Sequence, residues 1–400
     1  MAKTSAMTIW ATDYDIFDPA YVTDPVPAWD ELRGTCPIAH SDRYGGSWLP
    51  TRMADVTAIA HDVEHFSSRS VSVVAPQEEM QDGLLPAGLP PISADPPEHT
   101  WTRRLLLPWF SHSRVAMYED VTRELCARLA NDIAERGSGD AAVEYAQQIP
   151  ARVIAGILGV PPDLSDTFTG WVRDVLEFAH DNERRNRGRN AIVAYLTEQI
   201  EIRKVTPGDD LLSDLLHSEV DGAPVPEAHV LGTAALTLIA GVDTTWSSIG
   251  SALWHLATHP DDTARLVADP TMIPIAIEEL LRAYSPVTMA RIAVDDIEVG
   301  GCPMKAGDRV LLNFPGANRD PEAFEDADEV IIDRMKNRHV AFGVGIHRCA
   351  GSNLARMELR VAIEEWLKAI PKFSLDTSAE VTWAGGQVRG PRMIPVLVGA

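Results

Sequence analysis

The longest hydrophobic pattern in the chain is helical and runs between two prolines, Pro226 and Pro260. Its sequence, PEAHVLGTAALTLIAGVDTTWSSIGSALWHLATHP, is apolar on nearly all sides, which is typical of a helix buried on every face. Proline suits the first turn of a helix and also the position just past its end. The pattern therefore predicts one central helix, much longer than the usual length of about a dozen residues.

Shorter stretches with apolar residues at helical spacing lie on both sides of this segment. They predict helices over residues 26–34, 53–62, 98–110, 113–137, 147–160, 164–180, 190–204, 210–219 and 271–284. The polar sequence DNERRNRGR, residues 181–189, is expected to separate two of these helices. Residues 75–97 are rich in proline and glycine and predict a long loop.

The chain then alternates like strands from Ile292 to about Leu312, with GGCPMKAGDRV as a hairpin. Residues 381–400 predict a final hairpin. The fold class is therefore mainly α, with a smaller β-rich portion.

Composition narrows the classes of function. Lysine and arginine number 35 against 58 aspartates and glutamates, for a formal net charge of -23. This balance argues against nucleic-acid binding and against adhesion to an anionic membrane. The N-terminus lacks the apolar core of a signal peptide, and the stretch VLGTAALTLIAGV is too short to span a bilayer. We therefore expect a cytoplasmic protein without a membrane anchor.

The four cysteines have no metal-ligand spacing, so each is expected to be a free, small apolar residue unless its surroundings argue otherwise. Cys349 has unusual surroundings, AFGVGIHRCAG, with a helical pattern directly after it. The start of a helix lowers the pKa of a cysteine and favours the thiolate, the form that binds metal or attacks electrophiles. Gly343, Gly345 and Gly351 allow sharp bends and close approach. Taken alone, however, the segment is more typical of a buried structural cysteine in a glycine-rich turn.

The complete pattern Phe342-Gly343-x-Gly345-x-His347-x-Cys349-x-Gly351 resembles the heme-binding signature of the cytochrome P-450 superfamily. The resemblance implies that Cys349 is the axial thiolate ligand of the iron in heme b, iron protoporphyrin IX. It also implies that Phe342 packs beside the thiolate and that backbone N–H groups of the turn point at the sulfur. His347 is expected to reach a heme propionate, and Gly343 and Gly351 belong to the same cofactor site.

The segment AGVDTT, residues 240–245, interrupts the apolar central helix with polar groups. Buried polar groups need partners, and a threonine within a helix can bond back to the carbonyl one turn earlier. Alone, the segment fits a satisfied polar kink as well as a functional site. It resembles the family pattern [A/G]-G-x-[D/E]-T, which implies that Ala240 and Gly241 border a groove over the iron. By the same resemblance, Thr244 hydrogen-bonds dioxygen and Asp243 relays protons.

Glu279 and Arg282 lie three residues apart on one helix face. Such a pair is a common surface feature, but here it resembles the E-x-x-R motif of the family, which braces the segment before the cysteine loop. Arg334 matches the arginine that often completes this network, although Val330 and Ile331 replace the Phe-Asp of the bacterial pattern.

His99 and Arg103, four residues apart in HTWTR, share one helix face. Without a family context, each is an ordinary surface residue. They resemble a family H-x-x-x-R pair directed at the heme propionates, and Arg291 matches a third such residue. A guanidinium suits a carboxylate because it can donate two parallel hydrogen bonds.

Basic residues dominate between positions 336 and 360 of this acidic chain. They could form a solvated face near a buried anion, or a docking patch for an acidic redox partner. The resemblance favours docking, because the family receives electrons on the thiolate side. The patch consists of Lys336, Arg338, Arg348, Arg356 and Arg360.

The substrate pocket implied by family position is mainly apolar, so an apolar substrate is expected. Most of its residues fit an ordinary core equally well. They are Val73, Val74, Leu85, Ala240, Val287, Thr288 and Gln387.

The resemblance covers essentially the whole chain, so residues 1–400 are expected to form a single cytochrome P-450 catalytic domain, as a monomer. It implies a soluble bacterial-type heme-thiolate monooxygenase that uses O₂ to hydroxylate or otherwise oxidise an apolar small molecule. The implied partners are a ferredoxin and an NAD(P)H-dependent ferredoxin reductase. A peroxide-driven heme-thiolate peroxygenase and a non-catalytic heme-binding sensor stay open as alternatives.

Overall fold

The computed structural model of the protein describes residues 9–75 and 85–399, and helices dominate in these ranges. The α-helices are α1 (Trp10–Asp13), α2 (Pro19–Thr23), α3 (Val26–Thr35), α4 (Met53–His61), α5 (Glu98–Leu106), α6 (His112–Arg136), α7 (Gln148–Leu158), α8 (Ser165–Leu176), α9 (Asn182–Val205), α10 (Leu211–Leu216), α11 (Glu227–Thr258), α12 (Pro260–Ala268), α13 (Ile273–Ala283), α14 (Phe314–Ala317) and α15 (Ser352–Ala369).

The strands are short and lie mostly toward the two ends of the chain. They are β1 (Ile38–Ser41), β2 (Ser47–Pro50), β3 (Phe66–Ser67), β4 (Ser138–Asp140), β5 (Glu219–Val220), β6 (Ala223–Pro224), β7 (Met289–Ala293), β8 (Ile297–Val299), β9 (Cys302–Met304), β10 (Arg309–Leu312), β11 (Phe373–Leu375), β12 (Thr382–Ala384), β13 (Gly390–Met393) and β14 (Pro395–Val398). The mainly helical class with a smaller β portion is therefore confirmed.

The long helix α11 runs through the largest hydrophobic core, as its apolar pattern predicts. It packs against α7, α8, α9 and α15. Trp246 and Leu253 of α11 are fully buried, as is Trp366 of α15. Burying an apolar side chain of this size contributes roughly 1.5–3 kcal/mol. The prediction of one long central helix is confirmed, and its position brings the AGVDTT segment into the interior.

The largest sheet has five strands in the order β1-β2-β10-β7-β3. Strand β10 runs parallel to β2 and antiparallel to β7. Residues opposite each other in an antiparallel pair share a face of the sheet. The register pairs Val310 with Arg291 and Arg309 with Ile292, so Arg291 and Arg309 lie on opposite faces.

Two predictions of secondary structure were wrong in detail. The polar run 181–189 does not separate helices, because α9 already begins at Asn182. The Asp181 carboxylate accepts the backbone N–H of Arg184 and caps the helix, which needs no apolar residue there. At the C-terminus, β12 and β13 do form a hairpin, but β14 pairs with β11 and β4.

The hairpin predicted over residues 300–310 is displaced: β8 and β9 form the hairpin, joined by Gly300 and Gly301 with positive φ, while β10 pairs with β2 and β7. The predicted loop 75–97 contains no helix or strand over residues 85–97, and residues 76–84 lie outside the described part. Among residues 9–75 and 85–399, no helix combines the length and apolar composition needed to cross a lipid bilayer.

Candidate functional site

The loop before α15 folds tightly around Cys349. The backbone N–H of Cys349 donates to the carbonyl of Phe342 at 2.7 Å, which closes the loop. Gly343 and Gly345 have φ values of 66° and 70°, a region that favours glycine. A Cβ on Gly345 would lie 2.7 Å from the carbonyl oxygen of Ala60, so the loop also needs glycine for its close approach to α4.

The side chain of Cys349 keeps an exposed surface although protein atoms surround it. Burial raises the pKa of the Cys349 thiol, while the N–H of Gly351 and the charges of Arg103, Arg348 and Arg356 oppose the rise. The prediction that the start of a helix lowers this pKa was therefore wrong for the protein alone, because desolvation of the thiolate outweighs the helix. A thiolate at this position needs a cation beside it, which a metal supplies.

Four basic side chains converge beside the loop, namely His99, Arg103, Arg291 and His347. The imidazole centroids of His99 and His347 lie 4.4 Å apart. Burial lowers the pKa of His347 to about 3, and the positive charges of Arg291, His99 and Arg103 contribute. Arg103 donates to the backbone carbonyl of Arg348. These residues come from α5, β7 and the cysteine loop, so the tertiary structure brings the sequence-predicted cofactor residues together.

This basic cluster is short of partners within the described residues. Nε2 of His99 is buried and has no hydrogen-bond partner. Arg291 is only 4% exposed, and its side chain donates a hydrogen bond to the adjacent carbonyl of Ala290 at 2.8 Å. Asp95 acts on both groups only at longer range. The residues therefore fit a group that presents carboxylates to the basic cluster and a metal to Cys349, which are properties of heme.

The carboxylate of Asp243 in α11 forms a buried ion pair with Arg392 of β13, with 2.8 Å between Oδ1 and Nη2. Arg392 also contacts Glu177 at 3.1 Å and donates to the hydroxyl of Ser247 at 3.0 Å. The second carboxylate oxygen, Oδ2, is buried and has no hydrogen-bond partner in the described part of the chain. Burial raises the pKa of Asp243, while Arg392 opposes the rise.

Sequence reasoning did not identify Arg392 as part of this site. One available signal was the aspartate itself, because a carboxylate on a helix buried on all sides requires a cationic partner. Nothing in the sequence indicates which of the arginines supplies it, since β13 lies about 150 positions away along the chain.

The other residues of the AGVDTT segment have local partners. The hydroxyl of Thr244 donates to the carbonyl of Ala240 at 2.7 Å, which is the backward hydrogen bond that the helical position allows. A Cβ on Gly241 would lie 2.3 Å from Cδ1 of Ile154 in α7. Close packing of α11 on α7 therefore explains why position 241 needs a glycine, in addition to the predicted groove over the iron.

Glu279 and Arg282 form a completely buried bidentate pair, with both N···O distances at 2.8 Å. Nε of Arg334 lies 3.1 Å from each carboxylate oxygen of Glu279, so it supplies a third arm despite the altered residues before it. Arg282 further donates to the carbonyls of Asn318 and Ala327. The network joins α13 to the irregular segment that leads to the cysteine loop.

The predicted substrate-pocket residues come from several elements of the fold. Val73 and Val74 are buried in a cluster with residues of the N-terminal helices, so their side chains serve that core. The backbone N–H of Thr288 donates to the carbonyl of Gln387 at 3.0 Å. Thr288 lines a cavity of about 450 Å³ beside Trp254 and Trp383. Val287 forms a bridge with Val388, while Leu85 packs on the main core and Ala240 is half-buried in α11.

The predicted docking patch divides into two classes of residue. Arg356 forms a bidentate pair with Glu278 at 2.6 and 2.7 Å, and Arg360 pairs with Glu119 at 2.6 Å. These two charges are already compensated within the molecule. Exposed residues without an ion pair in the described part of the chain are Lys336, Arg338 and Arg348.

Comparison with known proteins gives consistent results. The family model described as Cytochrome P450 matches residues 172–381. The chain is 34% identical to the Vitamin D(3) 25-hydroxylase of Pseudonocardia autotrophica, covering 98% of this chain and 99% of that relative. It is also 34% identical to the Mycinamicin IV hydroxylase/epoxidase of Micromonospora griseorubida, over 92% of this chain and 94% of the relative. The solved structure of CYP109E1 from Bacillus megaterium in complex with testosterone matches with a TM-score of 0.87 at 27% identity, covering 96% of this chain and all of that one (100%).

Proposed function

The chain belongs to the cytochrome P450 family, and on this premise we propose that it oxidises an apolar small molecule with electrons from a ferredoxin and an NAD(P)H-dependent ferredoxin reductase. The enzyme class is that of a cytochrome P450 monooxygenase, and its cofactor is heme b. The observation that carries the proposal is the convergence of the Cys349 sulfur with four basic side chains that have no carboxylate partner within residues 9–75 and 85–399. We further propose the cytoplasm as the location, where a reductase has access to NAD(P)H.

The residues that would hold the cofactor are Cys349 and the basic side chains that lie beside its loop. Cys349 is the proposed iron ligand, with Phe342 at its side and the N–H of Gly351 donating to the sulfur. His99, Arg103, Arg291 and His347 are the proposed partners of the propionates. Bound heme supplies the chemistry that activates O₂ for insertion into a C–H bond.

The residues of α11 are proposed to handle protons. Asp243 is buried, its pKa is raised, and one of its oxygens is free to accept a proton. Its ion pair with Arg392 engages the other carboxylate oxygen, Oδ1. Thr244 has a hydroxyl that can exchange its bond to the Ala240 carbonyl for one to an oxygen species in the cavity.

An apolar substrate is supported by the names of the relatives. One is named as a hydroxylase of vitamin D(3), and the solved relative holds testosterone. Both of these molecules are apolar, and each name describes only the relative.

Docking of an acidic ferredoxin is supported by Lys336, Arg338 and Arg348. They are exposed basic residues in a chain with a formal net charge of -23, and Arg348 directly precedes Cys349. Opposite charges on two proteins accelerate their encounter.

A spectrum of the reduced protein under carbon monoxide tests the proposed thiolate ligation. We expect a Soret band shifted far to the red, and its absence in the wild type would refute ligation by Cys349. Product formation is then compared between a surrogate ferredoxin with its reductase and hydrogen peroxide alone. Turnover with peroxide only would identify a peroxygenase, and no turnover with either would favour a sensor.

Thr244→Ala tests the proposed role of the hydroxyl in the same assay. We expect NADPH consumption to continue while product falls several-fold and released hydrogen peroxide rises. Unchanged coupling of NADPH to product would remove Thr244 from the mechanism. Thr245→Ala, at the adjacent buried position, is the matched control and should keep its coupling.

A further inference from the structure

Arg185 and Arg309 lie together in a part of the protein that no motif above uses. Arg185 is near the start of α9, and Arg309 opens β10. Ser72 joins them, because its hydroxyl accepts from Nη2 of Arg185 at 3.3 Å and its carbonyl accepts from Nη1 of Arg309 at 2.6 Å. The hydroxyl of Ser70 accepts from the same nitrogen of Arg309 at 3.2 Å. The two guanidinium groups therefore face one short segment of chain from two sides.

Each guanidinium keeps one buried nitrogen without a hydrogen-bond partner, namely Nη1 of Arg185 and Nε of Arg309. Arg309 is only 7% exposed. In the described part of the chain, neither arginine forms an ion pair, and no carboxylate contributes to the electrostatics of either group. Unsatisfied donors on buried cations cost free energy, so this arrangement calls for an acceptor that residues 9–75 and 85–399 do not provide.

Neighbouring positive charges act on Arg185 in the same direction as burial. Burial lowers the pKa of Arg185 to about 10, and the charges of Arg189 and Arg309 contribute. The N-terminal end of α9 adds positive partial charge, which makes a cation unfavourable there and an anion favourable. Arg187 on the same helix differs, because it pairs with Asp174 at 2.8 Å.

The short segment that contacts both arginines also contacts the cysteine loop. Four positions before Ser72, the hydroxyl of Ser68 lies 2.8 Å from Nε2 of His347. Four residues of fully extended chain span at most about 14 Å. Ser72, which contacts both arginines, therefore lies within about 14 Å of Ser68, the residue that contacts His347 of the cysteine loop.

We propose that Arg185 and Arg309 bind the carboxylate of the substrate, and that the apolar body of the substrate extends from there toward Cys349. The inference rests on the proposed oxidation of an apolar small molecule and narrows it to apolar carboxylic acids. The planar guanidinium suits a carboxylate because its N–H groups match the two oxygens. The competing explanation is structural, with both arginines serving only to anchor residues 70–72.

Ligands that differ only in charge separate these explanations. The heme-loaded ferric enzyme is titrated with dodecanoate and methyl dodecanoate, and with 4-phenylbutyrate and its methyl ester. Binding is measured by calorimetry and by the optical spectrum. We expect the acid to bind about tenfold more tightly than the ester in at least one pair, the gain typical of a charge-assisted contact. Equal affinities of acid and ester in both pairs overturn the proposal.

Arg185→Gln should abolish the preference for the acid and leave the affinity of the ester unchanged. Arg309→Gln should do the same, and it is examined second because Arg309 is more deeply buried. Equal weakening of acid and ester by Arg185→Gln would show a structural role and overturn the carboxylate site.

Arg187→Gln is the matched control, because it removes one charge from the same helix at an exposed, ion-paired position. It should keep the preference for the acid. A loss as large as that in Arg185→Gln would show that only overall charge matters, which also overturns the proposal. The carbon monoxide spectrum reports on the heme-thiolate function separately, so equal affinities with a normal spectrum refute the carboxylate site alone.

Discussion

The carboxylate of Asp243 and the guanidinium of Arg392 form an ion pair 2.8 Å long between the central helix and the C-terminal hairpin. Both residues are buried, with exposures of 1% and 7%. Arg392 links the same helix to Glu177 just after α8, so one guanidinium connects three distant segments. Protonation of Asp243 would therefore weaken a contact that joins these segments.

Removing Arg392 should destabilise the protein strongly. Arg392→Met leaves Asp243 buried without its cation, and breaking a buried ion pair in this way costs about 3–5 kcal/mol. The free energy of unfolding in urea measures the loss. Asp243→Asn should cost less, because Arg392 keeps its contacts with Glu177 and Ser247.

The double variant Asp243→Asn/Arg392→Met provides the internal check on this ion pair. Coupled residues give a double variant that loses less stability than the sum of the two single losses. Strictly additive losses would show that the interaction between Asp243 and Arg392 does not stabilise the fold.

Two adjacent glutamates in α13 should differ sharply in their contribution to stability. Glu279→Gln removes the charge that compensates two arginines, Arg282 and Arg334, inside the protein, and we expect a loss of about 3–5 kcal/mol. Glu278→Gln weakens a half-buried pair with Arg356 and should cost roughly 1 kcal/mol or less. Urea unfolding compares them, and similar losses in both would contradict the network.

Gly241 should be required for the packing of α11 on α7. Gly241→Ala places a Cβ 2.3 Å from Cδ1 of the buried Ile154, and overpacking of this kind costs about 1–3 kcal/mol. Ile154→Val removes that methyl group, so the double variant should recover part of the lost stability. Thermal unfolding measures both, and a failure of Ile154→Val to restore any stability would favour the groove as the reason for this glycine.

His229 should make the protein less stable in mild acid. Burial lowers its pKa from 6.5 to about 4, so the folded protein keeps this imidazole neutral. Between these values the unfolded chain binds a proton that the folded chain does not. The contribution of His229 to the free energy of unfolding is therefore fully present above about pH 6.5. It decreases as the pH falls toward 4, by at most about 3 kcal/mol.

Urea unfolding between pH 4 and 7.5 measures this contribution. His229→Gln should flatten the decrease relative to the wild type, because glutamine does not titrate. The exposed His112→Gln serves as the control and should keep the slope of the wild type. An unchanged slope in His229→Gln would mean that His229 contributes nothing to the acid sensitivity.

The two classes of basic residue on the thiolate side should respond differently to substitution. Arg338→Gln should weaken the apparent affinity for an acidic ferredoxin roughly two- to fivefold at low ionic strength, because Arg338 is exposed without an ion pair in the described ranges. Arg360→Gln removes an equal charge that Glu119 already compensates and should have less effect. The KM for ferredoxin as a function of salt checks both, and equal losses would contradict the distinction.

The sequence alone determined the features that depend on local pattern. The apolar stretch between Pro226 and Pro260 predicted α11, because helical periodicity and terminal prolines act within a few residues. The glycines around Cys349 predicted a tight loop for the same reason, and two of them do adopt positive φ. The order of the short motifs along the chain was sufficient to identify the family.

Only the tertiary structure decided which distant groups meet. Arg392 becomes the partner of Asp243, and β14 pairs with β4 rather than with β13, because topology and not local pattern brings these segments together. The direction of the pKa shift of Cys349 also depends on the tertiary structure, because desolvation by the whole surrounding fold raises this pKa. The sequence does not indicate which group an arginine will contact. Its role depends on the groups that the folded structure buries beside it.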